Sequence, residues 1–175
     1  MRKLKNSELE RISVENFKSA KKTPIILVLD NVRSSFNVGS AFRTSDAFRI
    51  EKIYLCGITA TPPNQEIRKS ALGSTNSVDW EYVEKTEDIV LNLKKKNYQI
   101  CSVEQVEDST LLHQFPHPKK PIVVVFGNEV NGVQQSVIDL SDCSIEIPQI
   151  GTKHSINVSV SIGIVLWDLY NKIIR

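Results

Sequence analysis

The sequence is poor in several residues and patterns that would narrow its role. Cysteine occurs three times, at Cys56, Cys101 and Cys143. An odd, widely spaced set argues against a disulfide framework or a thiolate metal site, and it fits a reducing cytosol. Histidine also occurs three times, in loop-like stretches, and no H-E-x-x-H is present, so no metal is expected. No apolar run approaches the roughly 20 residues of a membrane span. Ile25 to Leu29 and Ile122 to Phe126 therefore read as buried strands. Met1 is followed by charges and not by an apolar core, so no secretory leader and a cytoplasmic location are expected. There is no G-x-x-x-x-G-K-[ST], no G-x-G-x-x-G after a strand and no G-x-S-x-G. Phosphate-loop enzymes, ordinary dinucleotide enzymes and serine hydrolases lose their support.

What remains is an ordinary globular composition. The chain has 175 residues, 41% hydrophobic and 24% charged, which suits one domain with its own core. Net charge is only +2, so composition does not announce a nucleic-acid binder. Charge is uneven, however. Residues 1–22 hold seven Lys or Arg against three Glu, a local +4. Such a segment can touch phosphates, or it is a solvated helix face.

The apolar pattern alternates strand and helix. "SELE" at Ser7 to Glu10 has the form of a capping box, and Leu9, Ile12 and Phe17 share a face, so a helix is expected from Ser7 to Ala20. Six strands are expected: "PIILVLD", "KIYLCG", "VDWEYV", "YQICSVE", "PIVVVFG" and "CSIEIP". Helices are expected at Gly39 to Phe48, from Thr86 to Lys96, and at Gln134 to Leu140. "TATPPNQE" reads as a loop. Continuous apolar strands between helices predict an α/β fold with a mostly parallel six-stranded sheet and helices on both faces. Residues 1–22 form a basic helical extension, and 23–175 one domain.

In such sheets ligands collect beyond the carboxyl ends of the strands. Three strands are followed there by "DNVRSSFNVGSAFR", "GNEVNG" and "PQIGTKHSIN", all rich in small and polar residues. They contain Asn37 with Arg43, Glu129, and Ser155 with Asn157. Singly, each has a plain explanation. Asn37 or Ser155 could cap a helix, Arg43 could pair with Asp46, and Glu129 could be a turn residue. The stretch from Ser155 to Ile162 adds a puzzle. Its strict alternation reads as a strand, whereas the residues from Ile164 onward are spaced as a helix.

Taken together and in order, these clusters carry a resemblance. The chain resembles the SpoU/TrmH family of RNA ribose 2′-O-methyltransferases, within the trefoil-knotted SPOUT superfamily. The first motif stands here as "NVRSSFNVGSAFRTSDAF", with Asn37, Gly39 and Arg43. The second stands as "VVVFGNEVNGV", with Gly127, Glu129 and Gly132. The third stands as "IPQIGTKHSINVSVSIGIVLW", with Ile147, Pro148, Ser155, Asn157 and Ser159. "RKSALGSTNSVDW" is similar to the family's middle segment. The resemblance runs from about Ile25 to Tyr170. Its departure is Ile156 in place of the usual leucine, and no added RNA-binding domain is expected.

The resemblance implies a deep C-terminal trefoil knot, which periodicity does not foretell, and a helix from Ile156 to Ile173 in place of the strand. It implies methyl transfer from S-adenosylmethionine to a ribose 2′-hydroxyl of tRNA or rRNA, without a metal. The candidate catalytic residues are Arg43, Asn37, Glu129, Ser155 and Asn157. The candidate cofactor residues are Gly127, Ile147, Pro148, Ile156 and Glu104. Arg43 is the family's proposed base, but a guanidinium offers donors and no acceptor. Binding a phosphate and stabilising the developing alkoxide suits it better. Arg33, Arg68, Lys69 and the basic first helix are candidates for RNA contact, or plain surface charges. A homodimer packed around the knot is implied. Two alternatives stay open: a base methyltransferase of the same superfamily, and a non-catalytic RNA-binding protein.

Overall fold

The computed structural model describes residues 1–174. Its centre is a sheet of seven strands, not six. They are β1 (Thr23–Asp30), β2 (Ile50–Cys56), β3 (Trp80–Val83), β4 (Gln99–Val103), β5 (Thr110–Leu111), β6 (Ile122–Phe126) and β7 (Cys143–Glu146). All pairings are parallel, in the order β3-β2-β1-β6-β4-β7-β5. The additional strand is β5, a two-residue edge on β7, too short to leave a pattern in the sequence.

Among the described residues, α1 (Val14–Ser19) precedes the first strand, α2 (Ser35–Ala47), α3 (Gln65–Ala71), α4 (Thr86–Lys95) and α5 (Gln135–Leu140) connect strands, and α6 (Val158–Ile174) follows the last. Alternation along the central strands sends residues to two cores. Ile25, Leu27 and Leu29 of β1, with Val124 and Phe126 of β6, meet Phe17, Phe42, Ile67 and the α6 residues Ile162, Val165 and Leu169. Ile26 and Val28, with Val123 and Val125, meet Ile89, Val90 and Leu93 of α4 and Val137 of α5. A central strand needs apolar side chains on both faces, which is why these stretches read as unbroken hydrophobic runs.

Four expectations are corrected. The helix expected over Ser7 to Ala20 is instead a 3-10 turn, Asn6–Glu8, and the short α1 capped by Ser13. Glu8 is drawn to Arg2 at 2.6 Å, and Ile12 stays 49% exposed, so the segment before α1 has no core partner. The first motif's helix starts at Ser35, with the Ser34 side chain accepting from the Asn37 amide; Asn37 lies inside the helix and does not cap it. Residues read as loop before Arg68 enter α3, capped by Asn64. The last helix begins at Val158, two residues after Ile156. The alternation of Ser155 to Ile162 is therefore not a strand.

β6 enters the sheet between β1 and β4, both earlier in sequence. The connections from β1 run outward to β2 and β3, while β4 lies on the other side. The carboxyl ends of β1 and β6 thus flank a switch point, where open sheets hold ligands. Among the described residues no helix is long and apolar enough to cross a membrane.

Candidate active site

Segments leaving the carboxyl edge of the sheet enclose one hollow of about 500 Å³, within the ~300–1,000 Å³ usual for small-molecule sites. β4 and the residues after it give Val103 and Glu104. The loop after β6 gives Gly127 to Gly132, and the passage from β7 into α6 gives Ile147 and Ser155 to Val158.

The loop after β6 is closed on itself. The Asn128 amide donates to the Gly132 carbonyl at 2.9 Å, and the Gly132 amide returns the bond at 2.8 Å. Asn128 Oδ1 accepts from the Val130 amide at 2.9 Å. Gly132 has a φ of +69°, where a side chain is strained. A Cβ there would lie 2.2 Å from Glu104 Oε2, and one at Gly127 would lie 2.0 Å from the Gly132 carbonyl carbon. Both positions require glycine. Glu104 holds this loop from below, its Oε2 accepting from the Val133 amide at 3.0 Å.

Glu129 reaches from the loop to the start of α2. One carboxylate oxygen accepts from the Arg33 amide at 2.8 Å, and the other from the Ser34 amide at 3.0 Å and from Asn37 Nδ2 at 3.0 Å. Partial burial works to raise this carboxyl, but the Arg33, Glu129 and Ser34 amides and the Asn37 side chain outweigh it and hold it below its ordinary 4.5. Asn157 completes the chain of contacts: its Nδ2 donates to Asn37 Oδ1 at 3.3 Å, and its Oδ1 accepts from the Ser159 amide at 2.9 Å, capping α6. Residues from all three motifs are therefore joined in one network. The asparagine orientations follow from these donors and acceptors.

The other candidates are placed less tightly. Gly127, Glu104, Ile147, Ile156 and Ser155 line the hollow, and Pro148 does not. Arg43 is exposed on α2, about one and two-thirds turns beyond Asn37, about 9 Å along the helix axis and about 120° around it. It does not line the hollow. Nor does it pair with Asp46, which accepts a hydrogen bond from Ser77 Oγ instead.

Several supporting residues escaped the sequence reading. Asp30 is fully buried at the end of β1 and accepts from Thr86 Oγ1 at 2.6 Å, the Gln134 amide at 2.9 Å and Gln134 Nε2 at 2.8 Å. It ties β1 to α4 and to the start of α5. Gln105 Nε2 donates to the His154 carbonyl at 3.1 Å, pinning the last loop over β4. The one signal for Asp30 was an acid ending an apolar strand.

A parallel α/β sheet thus carries, beyond the carboxyl ends of β4, β6 and β7, a hollow of small-molecule size rimmed by an Asn–Glu–Asn network. The SpoU rRNA Methylase family matches residues 24–167, and the chain belongs to it. It is 31% identical over 147 residues to an Aquifex aeolicus protein named tRNA (guanosine(18)-2'-O)-methyltransferase, covering 82% of this chain and 67% of that one. It is 29% identical over 144 residues to the 23S rRNA (guanosine-2'-O-)-methyltransferase RlmB of Neisseria meningitidis, covering 82% and 56%. The solved A. aeolicus TrmH/SpoU tRNA modifying enzyme superposes with a TM-score of 0.80 at 28% identity, covering 91% of this chain and 79% of that one. An AdoMet-bound rRNA methyltransferase from Sinorhizobium meliloti gives 0.80 at 26% identity, covering 86% and 57%. The chain spans between 51% and 67% of the length of such curated relatives.

Proposed function

We propose that this protein transfers a methyl group from S-adenosylmethionine to a ribose 2′-hydroxyl of tRNA or rRNA. The observation that carries this reading is the Asn37–Glu129–Asn157 network at the rim of the hollow, in a chain whose family includes relatives named for that reaction. The hollow suits the cofactor in size, and Gly127 and Gly132 keep its backbone free of side chains. Gly127, Ile147 and Ile156 would hold the adenosine by backbone groups, and Glu104 would set the floor beneath them.

When bound, S-adenosylmethionine supplies a methyl group on a positively charged sulfur, so no metal is needed to activate it. The chain's own task is the nucleophile, since a ribose hydroxyl hardly ionises near neutral pH. Oxygen, carbon and sulfur must also be held in line. Glu129 fixes the start of α2, and Asn37 and Asn157 then orient the ribose at the rim. Ser155 contacts the adjoining phosphate. Arg43, outside the hollow, acts on the RNA, drawing a phosphate to its fork and stabilising the developing alkoxide.

The same reading includes a trefoil knot formed where residues 147–157 pass the loop after β6, supported by the contacts that both segments make with the start of α2. It also includes a homodimer through the outer face of α6, where Val160 and Trp167 are 51% and 55% exposed. Residues 1–22 extend the unit formed by 23–175, fastened by Phe17 in the core, and Arg33, Arg68 and Lys69 meet RNA phosphates. A cytoplasmic location agrees with a sequence that holds only three cysteines.

The test is methyl transfer. The protein is incubated with radiolabelled S-adenosylmethionine and, separately, unmodified tRNA and rRNA transcripts, and the RNA is then digested to nucleosides. Ribose label that disappears in Arg43→Ala supports the reading and names the RNA. Label on a base, or bound RNA with no label and no cofactor binding, overturns it.

A further inference from the structure

The hollow is charged with one sign. Glu104, Glu129 and Glu146 stand in its wall, and among the described residues that line it there is no lysine or arginine, the one basic side chain being the imidazole of His154. The carboxylates are hydrogen-bonded, but by neutral donors. Glu104 accepts from the Gln105 and Val133 amides, each at 3.0 Å. Glu146 accepts from Ser109 Oγ at 2.7 Å, and Glu129 from two amides and a carboxamide. The ion pairs among the described residues, such as Lys94–Asp142 and Lys172–Asp168, involve none of the three. Neutral donors hold a carboxylate in place without cancelling its charge. The wall therefore keeps a negative potential directed into a concave space, where it is screened less than on an open surface.

We propose that this charge makes the hollow discriminate between donor and product, with Glu104 and Glu146 as the specificity-determining residues. The inference rests on the cofactor reading above and deepens it. In the transfer, a bond forms between the ribose oxygen and the methyl carbon. The carbon–sulfur bond breaks with its electron pair staying on sulfur, and the hydroxyl proton passes to solvent. Donor and product thus differ by one methyl and one positive charge. The methyl is a small part of the contact area, so a large difference in affinity must come from the charge. A wall of carboxylates binds the sulfonium and loses that attraction when the sulfur becomes neutral. The reaction itself then loosens the spent thioether, and turnover is freed from product inhibition. Glu129, whose oxygens are shared among three donors at the rim, contributes least selectivity of the three.

The experiment is isothermal titration of the full chain with S-adenosylmethionine, S-adenosylhomocysteine and sinefungin, which carries an ammonium in place of the methylsulfonium. The wild type is expected to bind both cations about tenfold tighter than the neutral thioether at low salt, with the gap narrowing as salt rises. Glu146→Gln and Glu104→Gln are each expected to weaken the two cations several-fold and leave S-adenosylhomocysteine nearly unchanged. Glu104 also holds the β6 loop; if its variant does not fold, Glu146→Gln and the wild-type ratio decide. Equal binding of all three ligands by the wild type overturns the inference and leaves the cofactor reading standing. So does an equal loss for all three in the folded variants. Binding of none of them overturns both.

Discussion

Replacing Glu129 by glutamine keeps the side chain's length and removes half of its acceptor capacity. The two amides and the Asn37 side chain that share its oxygens would then compete for one. A hydrogen bond to a charged group contributes roughly 1.5–3 kcal/mol, and partial exposure puts this site at the lower end. Glu129→Gln should therefore lower methyl transfer by about tenfold or more and lower stability by about 1.5 kcal/mol, read by single-turnover kinetics beside a melting curve. The pH dependence follows from the same contacts. The folded carboxyl lies below its ordinary 4.5, so the stabilisation is complete above that value and is lost as pH falls through the lower folded value. The difference in Tm between wild type and Glu129→Gln should be constant from pH 8 to about 5 and shrink under more acid conditions. Arg43 poses the complementary question. Arg43→Lys keeps the charge and loses the planar fork, and turnover is expected to drop at least about tenfold. Near-normal turnover would show that charge alone is enough.

Between elements, the tightest joint lies between α2 and α3. A Cβ on Gly39 would stand 2.0 Å from Ser70 Oγ and 2.5 Å from the Ile67 carbonyl. Backbone cannot yield as a flexible side chain does, so Gly39→Ala should cost about 1–3 kcal/mol, visible as a lowered urea midpoint. That joint explains part of what the sequence hid. Gln65–Ala71 buries Ile67 and Ala71 against α2, but two apolar residues in one short helix make no periodic signal, and Pro62 and Pro63 upstream read as loop. β5 has two residues, fewer than any alternation needs. At the other extreme, β1 and β6 were legible because burial on both faces demands unbroken apolar runs. The N-terminal helix was overread: Leu9, Ile12 and Phe17 have helical spacing, but only Phe17 is buried, and a helix without packing is marginal. The site divides likewise. Asn37, Glu129 and Asn157 were legible as motif residues, and the network joining them was not, because Asn157 and Asn37 lie 120 positions apart. Asp30 and Gln105 were missed because their partners are backbone groups and side chains that only the fold brings near.

For the whole molecule, the outer face of α6 is the surface least explained by a single chain. Val160, Ile164 and Trp167 follow one another at helical spacing and are 51%, 37% and 55% exposed, while the opposite face packs on α2 and the sheet. Val160→Glu places a charge on that face without touching the core. If two copies meet there, light scattering should show a dimer for the wild type and a monomer for the variant, with melting lowered at equal concentration. A wild-type monomer at all concentrations would leave the face to some other contact.

The Asp30 node and the Glu129 bridge share a property that bears on how the protein is made. Their bonds span 104 and 96 positions, and the wall from Ser155 to Val158 comes later still. During synthesis, β1 and β2 with their helix can associate early, yet a ribosome-bound chain has no complete hollow until it has been extended past Val158. A small molecule that rescues a damaged variant by occupying the hollow must therefore act on chains already extended beyond Ser161. It can slow their loss, but it cannot guide their birth.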